Sequence, residues 1–343
     1  MADATRAWLP LHITAAGATD IGRGRAHNED AVLLRPELAL WVLADGAGGH
    51  NAGNVASALA TTAIANYVEH WGPPTEEIDP FGTPRALRRL ATALQKANRD
   101  IIDIARSSNK LKGMGSTAVA AQVTADNGLL HVAYVGDSRL YRLRDDVLEQ
   151  LTFDHSLHND ALEMRPDVSD AVLARMPRNV VTRALGMDAA VRVSARSWRI
   201  LAEDKYLICS DGLTDAVSDE DIALILGVRD RPENIVRALI QAALSANAPD
   251  NIAVVVLHAE LGPDAKAPVR QPSVRPQPPS TTRRTEDSAP EIVIVDMKEL
   301  RLDRATGSIV VVPSQAEPTS DMMGAIGELA KPPPDDEEDD QGS

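Results

Sequence analysis

Four aspartates stand where apolar runs end. Asp45 follows LALWVLA and precedes Gly46; Asp137 follows HVAYVG; Asp211 follows KYLICS and precedes Gly212; Asp250 precedes Asn251 and the run IAVVVL. If those runs are strands, each carboxylate projects from a sheet rim whose backbone is fixed. A flanking glycine lets the chain turn sharply or present a carbonyl. A single Asp-Gly after a strand is ordinarily just a turn. Four on one rim would concentrate negative charge at a cost that bound cations remove. A ligand set made only of oxygens suits hard ions, Mg²⁺ or Mn²⁺, and not zinc. Two such ions side by side suit phosphoryl transfer, because a water between them is acidified into a nucleophile. Arg25, in GRGRAHNEDAVLL, adds a planar guanidinium fork that matches a phosphate dianion. Taken alone, an arginine beside an Asn-Glu-Asp triplet is a surface ion pair. The one cysteine, Cys209, is not followed by an arginine-bearing phosphate loop, so cysteine-based phosphatase chemistry has no support.

The elements that must position these groups follow from periodicity. LALWVLA (Leu38–Ala44) is wholly apolar and reads as a buried strand. Ala52 to Trp71 and Arg85 to Arg106 carry apolar residues at helical spacing. STAVAAQVT and LLHVAYVG flank Asp126-Asn127-Gly128 and predict a hairpin; RLYRLR and VLEQLT flank Asp145-Asp146 and predict a second. VRVSARSWRI, KYLICS and IAVVVLHA read as further strands. Ser218 is placed to cap a helix through Leu226, with three acids in its first turn, and Arg231 to Ala246 is helical with Pro232 near its start. Hairpins imply antiparallel sheets, and the long amphipathic helices must cover sheet faces. An α+β layered sandwich is expected.

Composition limits the alternatives. The chain has 343 residues, 44% of them hydrophobic but only 3% aromatic, so an aliphatic core is expected. A net charge of -15 argues against nucleic acid as a partner. One cysteine excludes a disulfide framework, and its expected place is a buried strand. The N-terminal residues lack a signal-peptide pattern and no run is long enough for a membrane helix, so the cytoplasm and no membrane contact are expected. A catalytic domain is expected over residues 1–261. A proline-rich linker follows over 262–290, and an appended segment over 291–343. That last segment holds two β-prone runs, Ile292 to Val295 and Ile309 to Val312, and an acidic end from Asp335 to Asp340.

Eight segments, in order from about Ala16 to Ala259, carry a resemblance: RAHNED (Arg25–Asp30), ADGAGGHNAG (Ala44–Gly53), GMGST (Gly113–Thr117), VGDSRLY (Val135–Tyr141), LTFDHS (Leu151–Ser156), VTRALG (Val181–Gly186), CSDGLTD (Cys209–Asp215) and PDNIAVVVL (Pro249–Leu257). Together they resemble the bacterial metal-dependent serine/threonine protein phosphatases of the 2C type, the PPM family. The resemblance implies a four-layer sandwich, two central antiparallel sheets flanked by helices. It implies Mg²⁺ or Mn²⁺ as cofactor, two central ions and a weaker third. Asp45 would bridge the central ions and the Gly46 carbonyl would bind one of them. Asp211 and Asp250 would complete the other, and Asp137 with Asp211 would hold the third. Glu29 and Asp30 would orient waters on the ions, and Arg25 would bind substrate phosphate. The segment Ser156 to Asn179 would form a flap. Position 47 departs from family members that carry histidine there: Ala47 cannot donate a proton. His50 is then either structural or the proton donor. The implied activity is hydrolysis of phosphoserine and phosphothreonine in proteins by a monomeric enzyme, reversing a serine/threonine kinase or acting on its targets. Two alternatives share the fold. A non-catalytic regulator would predict lost aspartates, and none is lost. A single-target phosphatase would act on one small regulator; relatives of that kind generally lack the phosphate-binding arginine motif, whereas RAHNED is intact.

Overall fold

The computed structural model describes residues 11–48, 52–72, 74–75, 77–124, 128–165, 167–173, 175–177 and 180–261, with three short strands beyond them. In chain order the elements begin with β1 (Leu11–Asp20), β2 (Asp30–Arg35), β3 (Leu40–Ala47), α1 (Ala52–His70), α2 (Arg85–Ser107), β4 (Gly115–Ser116), β5 (Ala118–Thr124), β6 (Leu129–Val135), β7 (Arg139–Arg144) and β8 (Val147–Gln150). They continue with α3 (Leu157–Met164), α4 (Asp170–Leu173), β9 (Val193–Arg199), β10 (Lys205–Cys209), α5 (Asp211–Thr214), α6 (Asp219–Gly227), α7 (Pro232–Ser245) and β11 (Ile252–Leu261). The short strands are β12 (Ile292–Ile294), β13 (Leu300–Leu302) and β14 (Ile309–Val311). The chain divides into two units, Met1–Asp154 with Arg183–Asp296, and His155–Thr182 with Met297–Ser343.

The first unit holds two antiparallel sheets, ordered β1-β11-β10-β7-β8 and β12-β9-β6-β5-β3-β2. Three apolar layers explain why its strands are nearly all apolar. On β3, Leu40, Val42 and Ala44 pack with α1 and α2, while Trp41 and Leu43 face the other sheet. On β11, Ile252, Val254 and Val256 pack with α5 to α7, while Ala253, Val255 and Leu257 face inward between the sheets. A strand buried on both faces has no polar alternation to display. The order is helices, sheet, sheet, helices, which is the four-layer α+β sandwich expected. Cys209 lies fully buried on β10, and burial pushes its thiol up, so it is an inert core residue.

Local signals account for the boundaries. Asp145 and Asp146 take φ of 49° and 63°, the left-handed pair that closes the tight β7–β8 hairpin. The Ser218 hydroxyl accepts a hydrogen bond from the Asp221 N–H at the start of α6. At the other end of α6, the buried Lys205 ammonium donates to the carbonyls of Leu226 and Val228, at 2.9 and 2.5 Å. Three strands were not singled out from sequence: β1, β2 and the short β13. β1 and β2 are edge strands, and most of their residues are only half-buried.

In the second unit, the Ser156 hydroxyl accepts from the Asn159 N–H to cap α3. The ends of the segment are tied by hydrogen bonds from Leu157 N to Val180 O and from Thr182 N to His155 O. β13 and β14 pair antiparallel.

Candidate metal centre

The site grows from the β2–β3 pair. Asp30 and Asp45 are direct cross-strand partners, so the register sets their carboxylates side by side. The Asp45 backbone is clamped from β4 and from Thr117, which links β4 to β5. Its N–H donates to Thr117 Oγ1 at 3.0 Å, and its carbonyl accepts from Thr117 N at 2.8 Å and Ser116 Oγ at 2.9 Å. Thr117 Oγ1 is bonded in turn to Ser138 Oγ at 2.7 Å, next to Asp137. One hydroxyl pair thereby ties the turn carrying Asp137 to the strand carrying Asp45.

Gly46 continues β3 and donates its N–H to the Glu29 carbonyl at 3.1 Å. The first turn of α1 crosses so closely that any side chain at Gly46 would strike the Gly53 carbonyl. A side chain at Gly53 would strike the Glu29 carboxylate, which therefore lies against the start of α1.

Asp211 and Asp250 arrive from the other sheet, and Asp137 from the turn that passes from β6, beside β5 in this sheet, to β7 in the other. Asp211 opens α5 with one residue, Ser210, between it and β10, and Asp250 stands two residues before Ile252 opens β11. Ser210 Oγ donates to Asp30 Oδ2 at 2.9 Å and accepts from Ala253 N at 2.8 Å, joining the two sheets beneath the acids. Burial is the first cause of raised carboxyl pKa values at Asp30, to about 7, and at Asp137, to about 7, and at Asp211, to about 6. Neighbouring negative charges add to each. Asp45 is held well above the ordinary carboxylate range by burial and then by Asp30, Asp211, Asp137 and Asp250. Asp215, one turn along α5 from Asp211, is also raised by burial and by Asp250.

Little positive charge offsets this set. Arg139 is engaged by both Asp154 oxygens, at 3.2 and 2.9 Å from its Nε. Arg25, about half exposed, bonds Asp250 Oδ2 through NH2 at 2.7 Å. Among the described residues no three acidic or imidazole side chains form a closed ligand cage by themselves. The carboxylates instead converge from separate strand ends and repel one another. Two of their oxygens, Asp30 Oδ1 and Asp211 Oδ1, are buried with no hydrogen-bond partner. Oxygen donors, orphaned and mutually repelling, fit hard divalent cations and no softer metal.

The structure thus brings Asp45, Asp137, Asp211, Asp250 and Asp30 into one electrostatic set, with Gly46, Glu29 and Arg25 at its edge. His50 lies outside the described residues. Asp215, Thr117, Ser138 and Asn251 were not singled out. For Asp215 a signal existed: in DGLTD the two aspartates are four apart, on one face of a helical turn. The hydroxyls and Asn251 act through partners far away in sequence.

Comparison with known proteins agrees with this geometry. The protein phosphatase 2C family model matches residues 16–248. The serine/threonine phosphatase stp of Listeria innocua is 34% identical over 251 residues, which are 71% of this chain and 94% of that protein. The serine/threonine protein phosphatase PstP of Mycobacterium tuberculosis is 36% identical over 250 residues, 72% of this chain but 45% of PstP. Among solved structures, the M. tuberculosis phosphatase PstP/Ppp superposes with a TM-score of 0.62 at 35% identity, covering 72% of this chain and 99% of that one. The PstP catalytic domain in complex with two manganese ions gives 0.61 at 32% identity, covering 73% and 99%. With the acid-lined rim, the four layers and these matches in agreement, the chain belongs to the protein phosphatase 2C family and is a metal-dependent protein serine/threonine phosphatase.

Proposed function

We propose that the acid rim holds Mg²⁺ or Mn²⁺ as two central ions and a weaker third. Asp45 and the Gly46 carbonyl hold the central pair from one sheet, Asp211 and Asp250 from the other. Asp137 with Asp211 holds the third ion. When bound, such ions neutralise the carboxylates, polarise the phosphoryl oxygens and lower the pKa of a water that attacks phosphorus. Asp30 and Glu29 orient water at the rim. Arg25, already beside Asp250, turns its fork to the phosphate dianion and aligns it for attack. Ala47 carries no proton, so leaving-group protonation falls to His50 or to solvent. The observation that carries this reading is the set of buried, mutually raised carboxylates with two orphaned oxygens.

The substrates proposed are phosphoserine and phosphothreonine side chains of a serine/threonine kinase or of that kinase's targets. Kinases draw on ATP, which places the enzyme in the cytoplasm with them. No helix among the described residues is long and apolar enough to cross a membrane. The catalytic domain is proposed as residues 1–261, acting as a monomer, with 262–290 as linker and 291–343 as an appended segment.

The test is Mn²⁺ titration by calorimetry beside turnover of p-nitrophenyl phosphate and a phosphothreonine peptide. Wild type should bind at least two ions, and chelator should abolish turnover. Asp45→Ala, Asp211→Ala and Asp250→Ala should each lose most turnover together with a tight ion. Asp137→Ala should keep both tight ions, weaken a further one and lower kcat. An Asp45→Ala protein that retains both tight ions would remove that aspartate from the ligand set.

A further inference from the structure

Asn251 does more than lead into β11. Its side chain is buried, with 5% exposure, yet every polar atom of the amide is used. Nδ2 donates to the carbonyls of Ile21 at 2.9 Å and His27 at 3.0 Å, and Oδ1 accepts from the Glu29 N–H at 2.9 Å. These three partners lie before and after Arg25 in one exposed turn between β1 and β2. Among the described residues, Asn251 is the one side chain that bonds the turn on both sides of Arg25; the other side-chain bonds, Gly22 N to Asp20 Oδ1 and Asn28 Nδ2 to Thr19 Oγ1, hold one end each. Two further contacts press the same turn on the same strand end. Arg23 N donates to Ala248 O at 2.9 Å, and Gly22, at a φ of +73°, lies so close to the Asp250 carbonyl that no side chain fits there.

We propose that Asn251 is a positioning residue: its amide fastens the Ile21–Glu29 turn to the strand end bearing Asp250, and so sets the Arg25 guanidinium over the acid rim. This rests on the reading of Arg25 as the phosphate-binding group. Only an amide meets the requirement. Two carbonyls need donors and one N–H needs an acceptor, and the three lie around a single side chain. An aspartate of the same shape would turn an acceptor toward two carbonyls and bury a charge beside Asp250. An alanine would leave three backbone groups unpaired and release the turn.

The prediction separates binding of phosphate from binding of metal. In full-length protein with saturating Mn²⁺, Asn251→Ala should raise KM for p-nitrophenyl phosphate and weaken competitive inhibition by inorganic phosphate in parallel, each by about tenfold or more. Mn²⁺ affinity should change far less, because Asp250 is retained. In an Arg25→Ala background, Asn251→Ala should add little, because the residue it positions is gone. If the double variant loses the full product of the two single effects, the coupling is absent and the proposal fails. It also fails if Mn²⁺ affinity drops as much as KM rises. A KM rise with Asn251→Ala but none with Arg25→Ala would overturn the Arg25 reading and this route with it. A KM rise with Arg25→Ala but none with Asn251→Ala would overturn only the present proposal. Gly22→Ala displaces the same turn without touching Asn251 and should reproduce the KM rise. It serves as the deciding variant should Asn251→Ala not fold, and an unchanged KM there would then overturn the proposal.

Discussion

Among the described arginine and carboxylate side chains of the site, Arg25 is the most exposed, and the one with most to gain from a substrate. In the structure it has one anionic partner, Asp250, and about half of its side chain faces solvent. A phosphate dianion would accept two charge-assisted bonds from the same fork. Arg25→Ala should therefore raise KM more than it lowers kcat, and cost about 1.5–3 kcal/mol in kcat/KM. Steady-state kinetics on p-nitrophenyl phosphate and a phosphothreonine peptide check this, and an unchanged kcat/KM would take Arg25 out of the site. The strand-tip aspartates were legible in sequence because each stands at a sharp change from apolar to polar, and two precede a glycine. Thr117, Ser138 and Asn251 were not. Their value lies in hydrogen bonds to Asp45, to each other and to the Arg25 turn, across separations that no local pattern encodes.

At the scale of elements, reading the chain succeeded where burial was extreme and failed where it was partial. β3, β10 and β11 are buried on both faces, so their apolar runs announce them. β1 and β2 lie at sheet edges and are half-buried at nearly every position, so neither the period-two nor the all-apolar signal is clean. A polar thread inside the second sheet was equally hidden. His131 on β6 bonds Thr124 of β5 through Nε2 at 2.6 Å and Ser197 of β9 through Nδ1 at 2.7 Å. Burial depresses its pKa to about 4, so the imidazole is neutral in the folded protein. The unfolded chain binds its proton near pH 6.5, so this site favours folding fully above that value and loses the contribution as pH falls toward 4. Between pH 7 and pH 5 the loss should be about 2 kcal/mol. Urea unfolding in saturating Mn²⁺ should show that slope in wild type and a flatter one in His131→Leu, whatever the variant's absolute stability. Equal slopes would mean that His131 is not the titrating group.

Over the whole molecule, the open question is what the last 82 residues do, since the chain runs from Gly262 to Ser343 beyond β11. They carry 9 basic and 16 acidic residues, and acids cluster at Asp335 to Asp340. One piece reaches the first unit, where Ile292–Ile294 pairs antiparallel with Val193–Ala195 at the edge of the second sheet. That contact suggests two opposite outcomes for truncation after Leu261. If β12 completes the sheet, removing it should unfold or inactivate the enzyme. If it only covers an edge, the catalytic domain should survive. The second outcome is expected for three reasons. A three-residue strand supplies few ladder bonds, and β9 keeps β6 along its other side. Among the described residues, the apolar layers of the first unit are built from residues before Gly262. The family model ends at residue 248, and the Listeria phosphatase is matched over 94% of its own length by 251 residues of this chain. Protein ending at Leu261 should therefore fold and hydrolyse p-nitrophenyl phosphate at the full-length rate, while turnover of a phosphoprotein substrate should change. Limited proteolysis of the full chain should cut first between Ala267 and Ala289, where prolines and the absence of an apolar pattern disfavour packing. Loss of folding or of small-substrate turnover on truncation would make β12 part of the catalytic domain and move its boundary past residue 294. An exposed β9 edge should also make the truncated protein more prone to associate than the full chain. Sedimentation of the two proteins at matched concentration reads that difference directly, and identical behaviour would mean that β12 does not protect the edge.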